Sequence, residues 1–265
     1  KEERFMRKTK IICTIGPASE RKEVLKKMCL EGMNVARINF SYGTHEEHLK
    51  KIQLIKTVRE ELNLPITIMI DTKGPEKIDF EAENKVDQES YLREHDKKDL
   101  LFAIENGVDF VAASSVSAKE DVLELRRFLD ENGGKNIEII VKIENRDAME
   151  NLDEICEVVD EIMVVRGDFG VDVPLIQKMM ILQCGLLEKK VIVASEMLES
   201  MIYRLRPTRT EISCVANAVY DGASSVMLLG ETTIGKYPVE AVRNIVKIVE
   251  HTENNMNYRK NCNCA

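Results

Sequence analysis

Tryptophan is absent from the 265 residues and aromatic side chains make up only 5% of them, a composition that fits a soluble globular protein rich in helix formers and argues against global disorder. No apolar run approaches the roughly 20 residues that cross a bilayer, and the N-terminus carries no hydrophobic signal core, so no membrane partner is expected. Positive charge is in short supply. Thirty-eight Lys and Arg stand against 46 Asp and Glu, a net charge of -8. That balance excludes a broad nucleic-acid surface, which needs clustered cations along the phosphates, but leaves room for a local site that takes a small anion. Paired CxxC spacing is missing too. The seven cysteines, at 13, 29, 156, 184, 214, 262 and 264, read as reduced thiols of a cytoplasmic protein. The terminal Cys-Asn-Cys reads as part of a frayed tail.

What remains is a chain 44% apolar and 32% charged, rich in helix formers, of the length that one α/β barrel of about 250 residues needs. Short β-branched runs recur at Lys10 to Ile15, Val35 to Phe40, Thr67 to Asp71, Phe110 to Ala113, Ile139 to Ile143, Glu161 to Val165, Val191 to Ala194 and Ser225 to Leu228. Helical patterns fill the gaps, at Glu20 to Glu31, Glu46 to Leu62, Asp96 to Asn106, Ala118 to Asn132, Leu175 to Glu188, Glu211 to Asp221 and Pro238 to Thr252. Eight strands, apolar on both faces and alternating with helices, predict an α/β fold of the (β/α)8 TIM-barrel type; an open doubly wound sheet is the alternative. The polar stretch 77–94 breaks the rhythm as a connector between two parts of one barrel, 1–76 and 95–254. Residues 255–265 read as a tail.

In such a barrel function gathers where strands end. Strand two ends in Arg37, Asn39 and Ser41; strand three in Asp71, Thr72 and Lys73; strand five in Lys142 and Glu144; strand six in Arg166 and Asp168. Strand seven ends at Ser195 and strand eight leads to Glu231. A lysine inside Ile-Ile-Val-Lys-Ile-Glu is costly to bury without a negative partner, so Lys142 asks for an anion or a carboxylate. Glu144 and Asp168 suit one Mg2+ or Mn2+, and cation, metal and anion together point to phosphate chemistry. A buried ion-pair network that only sets register remains the other reading. His45 and His48, three apart, read as a solvated helix start rather than a metal pair.

The strings Cys-Thr-Ile-Gly-Pro-Ala-Ser (13–19), Arg-Ile-Asn-Phe-Ser-Tyr-Gly-Thr-His (37–45) and Asp-Thr-Lys-Gly-Pro-Glu (71–76) closely resemble motifs of the pyruvate kinase family. So do Val-Lys-Ile-Glu-Asn (141–145), Arg-Gly-Asp-Phe-Gly-Val (166–171), Arg-Pro-Thr-Arg-Thr-Glu (206–211), Val-Ala-Asn-Ala-Val (215–219) and Gly-Glu-Thr (230–232), in the family's order. The resemblance covers most of residues 8–252. It implies transfer of phosphate from phosphoenolpyruvate to ADP, giving pyruvate and ATP, the last step of glycolysis. By that pattern Lys142 and Arg37 meet the phosphoryl group, Glu144 and Asp168 hold Mg2+, and Asn39, Ser41, Asp71 and Thr72 hold K+. The amides of Gly167 and Asp168, with the Ser195 hydroxyl, would take the substrate carboxylate.

The chain also departs from the pattern. The family's lid domain has only about 77–93 in its place, and its regulatory domain only the short tail. Ser195 and Glu196 replace Thr-Gln, Leu229 replaces a Ser, Tyr42 replaces a common His, and Ser115 and Ser117 interrupt a usual Phe-Val-Arg. Leu229 has no proton to relay. Between Val173 and Gln177 the chain is shorter than the family's loop after the sixth strand, so a different start of helix six is expected. Two other functions therefore stand beside the kinase: a metal-dependent lyase or aldolase of pyruvate-enolate chemistry, and a barrel that binds phosphoenolpyruvate without turning it over. The family's tetramers imply a homo-oligomer, and with this shortened chain a dimer or a monomer also fits.

Overall fold

The computed structural model describes residues 7–74, 90–165, 173–194 and 197–261. Eight parallel strands close on themselves in chain order: β1 (Lys10–Thr14), β2 (Val35–Asn39), β3 (Thr67–Asp71), β4 (Phe110–Ala113), β5 (Glu138–Ile143), β6 (Glu161–Val165), β7 (Lys190–Ala194) and β8 (Ser225–Leu228). The TIM barrel expected from the alternation is the fold, and the open sheet is ruled out by the pairing of β1 with β8.

Around it run α1 (Lys22–Glu31), α2 (His45–Leu62), α3 (Glu94–Glu105), α4 (Lys119–Glu131), α5 (Arg146–Glu150), α6 (Leu152–Val158), α7 (Val173–Leu186), α8 (Arg209–Asp221), α9 (Gly230–Thr233) and α10 (Pro238–Asn261). Local chemistry sets their ends. Thr44 Oγ1 accepts from the Glu47 amide while Glu47 Oε2 accepts from the Thr44 amide, a reciprocal cap that starts α2. Asp96 accepts from the Arg93 amide at 3.1 Å, which starts α3 two residues before the expected Asp96. No helix among the described residues is long and apolar enough to cross a membrane.

Because side chains alternate along a strand, each strand has one set facing the helices and one facing the barrel axis. Ile12, Val35, Met69, Ala112, Ile140 and Met163 belong to the inner set, all buried. Cys13, Ala36, Ile70, Val111, Val141 and Val164 belong to the outer set, packed under the helices. This is the packed interior that stabilises parallel barrels.

Two expectations change. The segment 146–158 holds two short helices that the sequence reading left without assignment, the first capped by Asn145 Oδ1, which accepts from the Ala148 amide at 2.8 Å. The last helix continues to Asn261 instead of stopping at Thr252. Its polar composition looked like a tail, but Glu253 is 6% exposed and accepts from the amides of Lys8 and Thr9 and from Thr9 Oγ1. That carboxylate ties the helix to the start of the barrel.

Gly74, just past β3, has φ +71°, and a methyl group built there would lie 2.7 Å from the Ser114 carbonyl oxygen. Gly74→Ala is expected to lose about 1–2 kcal/mol to the left-handed backbone and a further ~1–3 kcal/mol to overpacking. Thermal unfolding checks this: the midpoint should drop by roughly 4 °C or more, and an unchanged midpoint would refute it.

Candidate active site

Two residues beyond the inner apolar layer, the same parity brings Thr14, Arg37, Asp71, Ser114 and Lys142 to the C-terminal mouth, with Asn39 and Glu144 one step further out. On β6, β7 and β8 the corresponding positions are Val165, Ala194 and Leu229. The mouth is therefore divided, polar over β1 to β5 and apolar over β6 to β8.

Asp71 is the centre of the polar half. It is 1% exposed, and its Oδ2 accepts from Arg37 Nε at 2.8 Å and faces Arg37 Nη2 at 2.7 Å. Its Oδ1 accepts from Lys142 Nζ at 3.1 Å. Burial pushes the Asp71 carboxyl up, but the charges of Arg37 and Lys142 outweigh it and hold the carboxyl below its ordinary range. Arg37 also donates from Nη1 to Thr14 Oγ1 at 2.9 Å. Lys142 completes its set at Ser114 Oγ, 2.8 Å, and Glu144 Oε1, 2.9 Å. Glu144 Oε2 accepts from the Ser115 amide at 2.8 Å.

The expected site residues divide into three groups. Arg37, Asp71, Lys142 and Glu144 form one connected network. Asn39 and Thr72 border it: Asn39 is the register partner of Asp71, its Oδ1 accepts from the Ser41 amide at 3.0 Å, and the Thr72 hydroxyl donates to the Ala112 carbonyl at 3.2 Å. Ser41 itself is exposed. Arg166, Gly167, Asp168 and Ser195 lie outside the described residues, as does most of the connector 77–94. The carboxylate that Lys142 calls for is supplied twice, by Glu144 and by Asp71, the latter read as a K+ ligand. Sequence reasoning missed Ser114, Thr14 and Tyr91, whose hydroxyl donates to the Ser114 carbonyl at 2.7 Å.

Glu231 is 3% exposed and accepts from the amides of Leu198 and Leu229, both at 2.9 Å. Burial raises its pKa. It braces the turns after β7 and β8. The two histidines part company: His45 pairs with Asp99 and stacks on Phe102, whereas His48 is buried and stacked on Phe40, ring centres 4.2 Å apart. Burial pushes the His48 pKa down to about 4, so the ring is neutral, and the start of α2 is not simply solvated.

Among the described residues no three His, Cys, Asp or Glu side chains converge as a metal cluster. The donors at the mouth are nonetheless oxygens throughout. Glu144, with a quarter of its side chain exposed, offers the hard carboxylate that Mg2+ or Mn2+ takes, with other positions left to ligand and water. Asn39, Ser41, Thr72 and Asp71 offer mostly neutral oxygens, suited to a weakly binding monovalent ion. Beside the mouth a groove of about 740 Å3 runs past Pro17, Arg21, Tyr42, Glu47, Lys50 and Lys51.

The sequence model of a family described as "Pyruvate kinase, barrel domain" matches residues 6–90 and 81–242. Pyruvate kinase of Clostridium acetobutylicum is 37% identical over 342 aligned positions, covering 96% of this chain and 72% of that protein. Those of Sporosarcina psychrophila and Bacillus licheniformis are 39% and 38% identical, each over 96% of this chain, and the chain spans 58% and 59% of their lengths. The alignments are longer than the chain, so these relatives carry residues inside the matched span that have no counterpart here.

Proposed function

The chain belongs to the pyruvate kinase family, and from that premise we propose that it is a phosphotransferase, moving the phosphoryl group of phosphoenolpyruvate to ADP to yield pyruvate and ATP in the cytoplasm. The observation that carries this reading is Lys142, an ammonium set between Asp71, Ser114 and Glu144 at the divided mouth of the barrel. Phosphoryl transfer asks mainly for positioning and for positive charge around the transferring oxygens.

In the proposed arrangement Lys142 holds the phosphoryl oxygens during transfer, and Arg37, kept in place by Asp71 and Thr14, adds the second positive charge. Glu144 and Asp168 hold Mg2+ or Mn2+, which when bound neutralises phosphoryl and enolate charge. Asn39, Ser41, Asp71 and Thr72 hold K+. Gly167, Asp168 and Ser195 take the substrate carboxylate. The apolar wall of Val165, Ala194 and Leu229 faces the carbon skeleton. Leu229 has no proton to give, so the enol carbon is protonated by solvent or by another group. The groove past Tyr42, Lys50 and Lys51 has the size of a nucleotide site and offers a ring and Lys51, beside Lys50 paired with Glu46 and the acids Glu20 and Glu47.

The domain reading belongs to the same proposal: one barrel built from 1–76 and 95–254, with 77–94 as a short connector where the family has a lid. A lid excludes water over the nucleotide, so weak ADP saturation is expected. The test is a coupled pyruvate assay with ADP, Mg2+ and K+ supplied together and omitted singly. Pyruvate that depends on all three supports the kinase. Pyruvate released by C–C cleavage of a hydroxy-oxo acid, supplied without ADP or phosphoenolpyruvate, would establish the lyase or aldolase instead, and phosphoenolpyruvate binding without turnover would leave a binding barrel.

A further inference from the structure

The Lys142 ammonium has three protons, and the fold supplies three acceptors: Asp71 Oδ1 at 3.1 Å, Ser114 Oγ at 2.8 Å and Glu144 Oε1 at 2.9 Å. They are not equivalent. Asp71 and Ser114 are 1% and 4% exposed and lie inward, whereas the Glu144 side chain is 24% exposed and lies toward the opening. The two inner partners anchor the ammonium. The third N–H, at Glu144, is the one an incoming anion can claim.

Ser114 carries no charge, yet its hydroxyl has a determined orientation. Its own proton has two acceptors within reach, the Thr72 carbonyl at 2.6 Å and Asp71 Oδ1 at 3.3 Å, and the shorter contact takes it. The oxygen lone pairs are thereby turned to Lys142. The backbone of Ser114 is held as well, its carbonyl accepting from Tyr91 Oη at 2.7 Å and packing where Gly74 leaves no room for a side chain. Ser115 then adopts φ +58°, a left-handed conformation rare for a non-glycine residue, and its amide donates to Glu144 Oε2, 2.8 Å away. One turn after β4 thus holds Lys142 on β5 and Glu144 just past its end.

We propose that Ser114 is a positioning residue for phosphoryl transfer: its hydroxyl, oriented by the Thr72 carbonyl, sets the direction of the Lys142 ammonium, and the turn it opens sets Glu144. The proposal rests on the reading of Lys142 as the group that meets the phosphoryl oxygens. Without the hydroxyl the ammonium is drawn to two carboxylates only, and its third N–H loses its fixed aim. A misplacement of about 1 Å costs on the order of 100-fold in rate when geometry carries the reaction.

The test compares Ser114→Ala and Ser114→Thr with the unaltered chain by three readouts: pyruvate kinetics, thermal unfolding, and the rate at which an amine-reactive reagent labels Lys142, followed by mass spectrometry. Ser114→Ala is expected to lower kcat by roughly 10–100-fold while KM for phosphoenolpyruvate changes little, and to speed Lys142 labelling severalfold relative to exposed lysines. Ser114→Thr, which restores the hydroxyl, should recover most of both. Should Ser114→Ala fail to fold, Ser114→Cys takes its place with the same expectations, since sulfur is a weak acceptor. An unchanged kcat in a folded variant overturns the proposal, as does unchanged labelling. If the unaltered chain makes no pyruvate, the kinase reading fails on its own. The labelling rates then still decide whether Ser114 directs Lys142.

Discussion

Lys142→Met is expected to lower ADP-dependent pyruvate formation by roughly 1,000-fold or more while the chain still folds. Methionine keeps much of the buried stem and removes the charge, so the packing around β5 survives. Asp71 is not orphaned by the change, because Arg37 still meets its Oδ2 from two nitrogens, at 2.8 and 2.7 Å. What disappears is a positive charge poised where phosphoryl oxygens pass, an interaction that strengthens as charge spreads over them in the transition state. The loss should therefore appear in kcat more than in KM. Steady-state kinetics check this, with circular dichroism to establish that the variant is folded. A rate within a few-fold of the parent would remove Lys142 from the chemistry.

Asp71→Asn has the opposite character, a large effect on the fold. It leaves Arg37, 7% exposed, and Lys142 facing one another across a neutral amide. Removing one partner of a buried ion pair costs about 3–5 kcal/mol. Denaturant unfolding should show that loss near neutral pH. The pH dependence gives the sign. The folded-state pKa of Asp71 lies below its ordinary value of 3.8, so its contribution is fully present above that value and is lost as pH falls through the folded value. The stability gap between parent and variant should thus be constant at pH 5–8, a range about one unit or more above the ordinary carboxyl pKa, and narrow in stronger acid. Asp96, Glu161 and Glu231 have pKa values raised by burial, so their protonation on acidification acts in the other direction in both proteins. A gap that widened on acidification would contradict the role given to Asp71.

The barrel was legible because its rule is local. Each β-branched run and each amphipathic stretch can be read alone, and eight alternations leave few closed topologies. The mouth was partly legible for the same reason: residues two apart on a strand share a face, so Arg37 with Asn39, and Lys142 with Glu144, could be placed together from spacing. What spacing cannot say is which residues on different strands share a level. Asp71 meets Lys142 across β4, a relation set by the register Asp71 to Ala112 and Ala112 to Ile140. Nothing within either strand announces it. Ser114 was invisible for another reason: in Ala-Ala-Ser-Ser-Val-Ser a small polar residue looks like any loop serine, and only the contacts to Lys142, Thr72 and Tyr91 distinguish it. The end of the chain misled through composition, since Asn-rich polar sequence suggests a tail unless one knows that Glu253 is buried against Thr9.

The most direct measurement is a crystal structure of the chain grown with phosphoenolpyruvate and Mn2+, using anomalous diffraction to locate the ion. The proposal predicts Mn2+ bonded to the Glu144 carboxylate, with phosphoryl oxygens in hydrogen-bonding reach of Lys142 Nζ and Arg37. Ion and phosphate found together at any other place on the molecule, with Lys142 still closed on Asp71, Ser114 and Glu144, would contradict it.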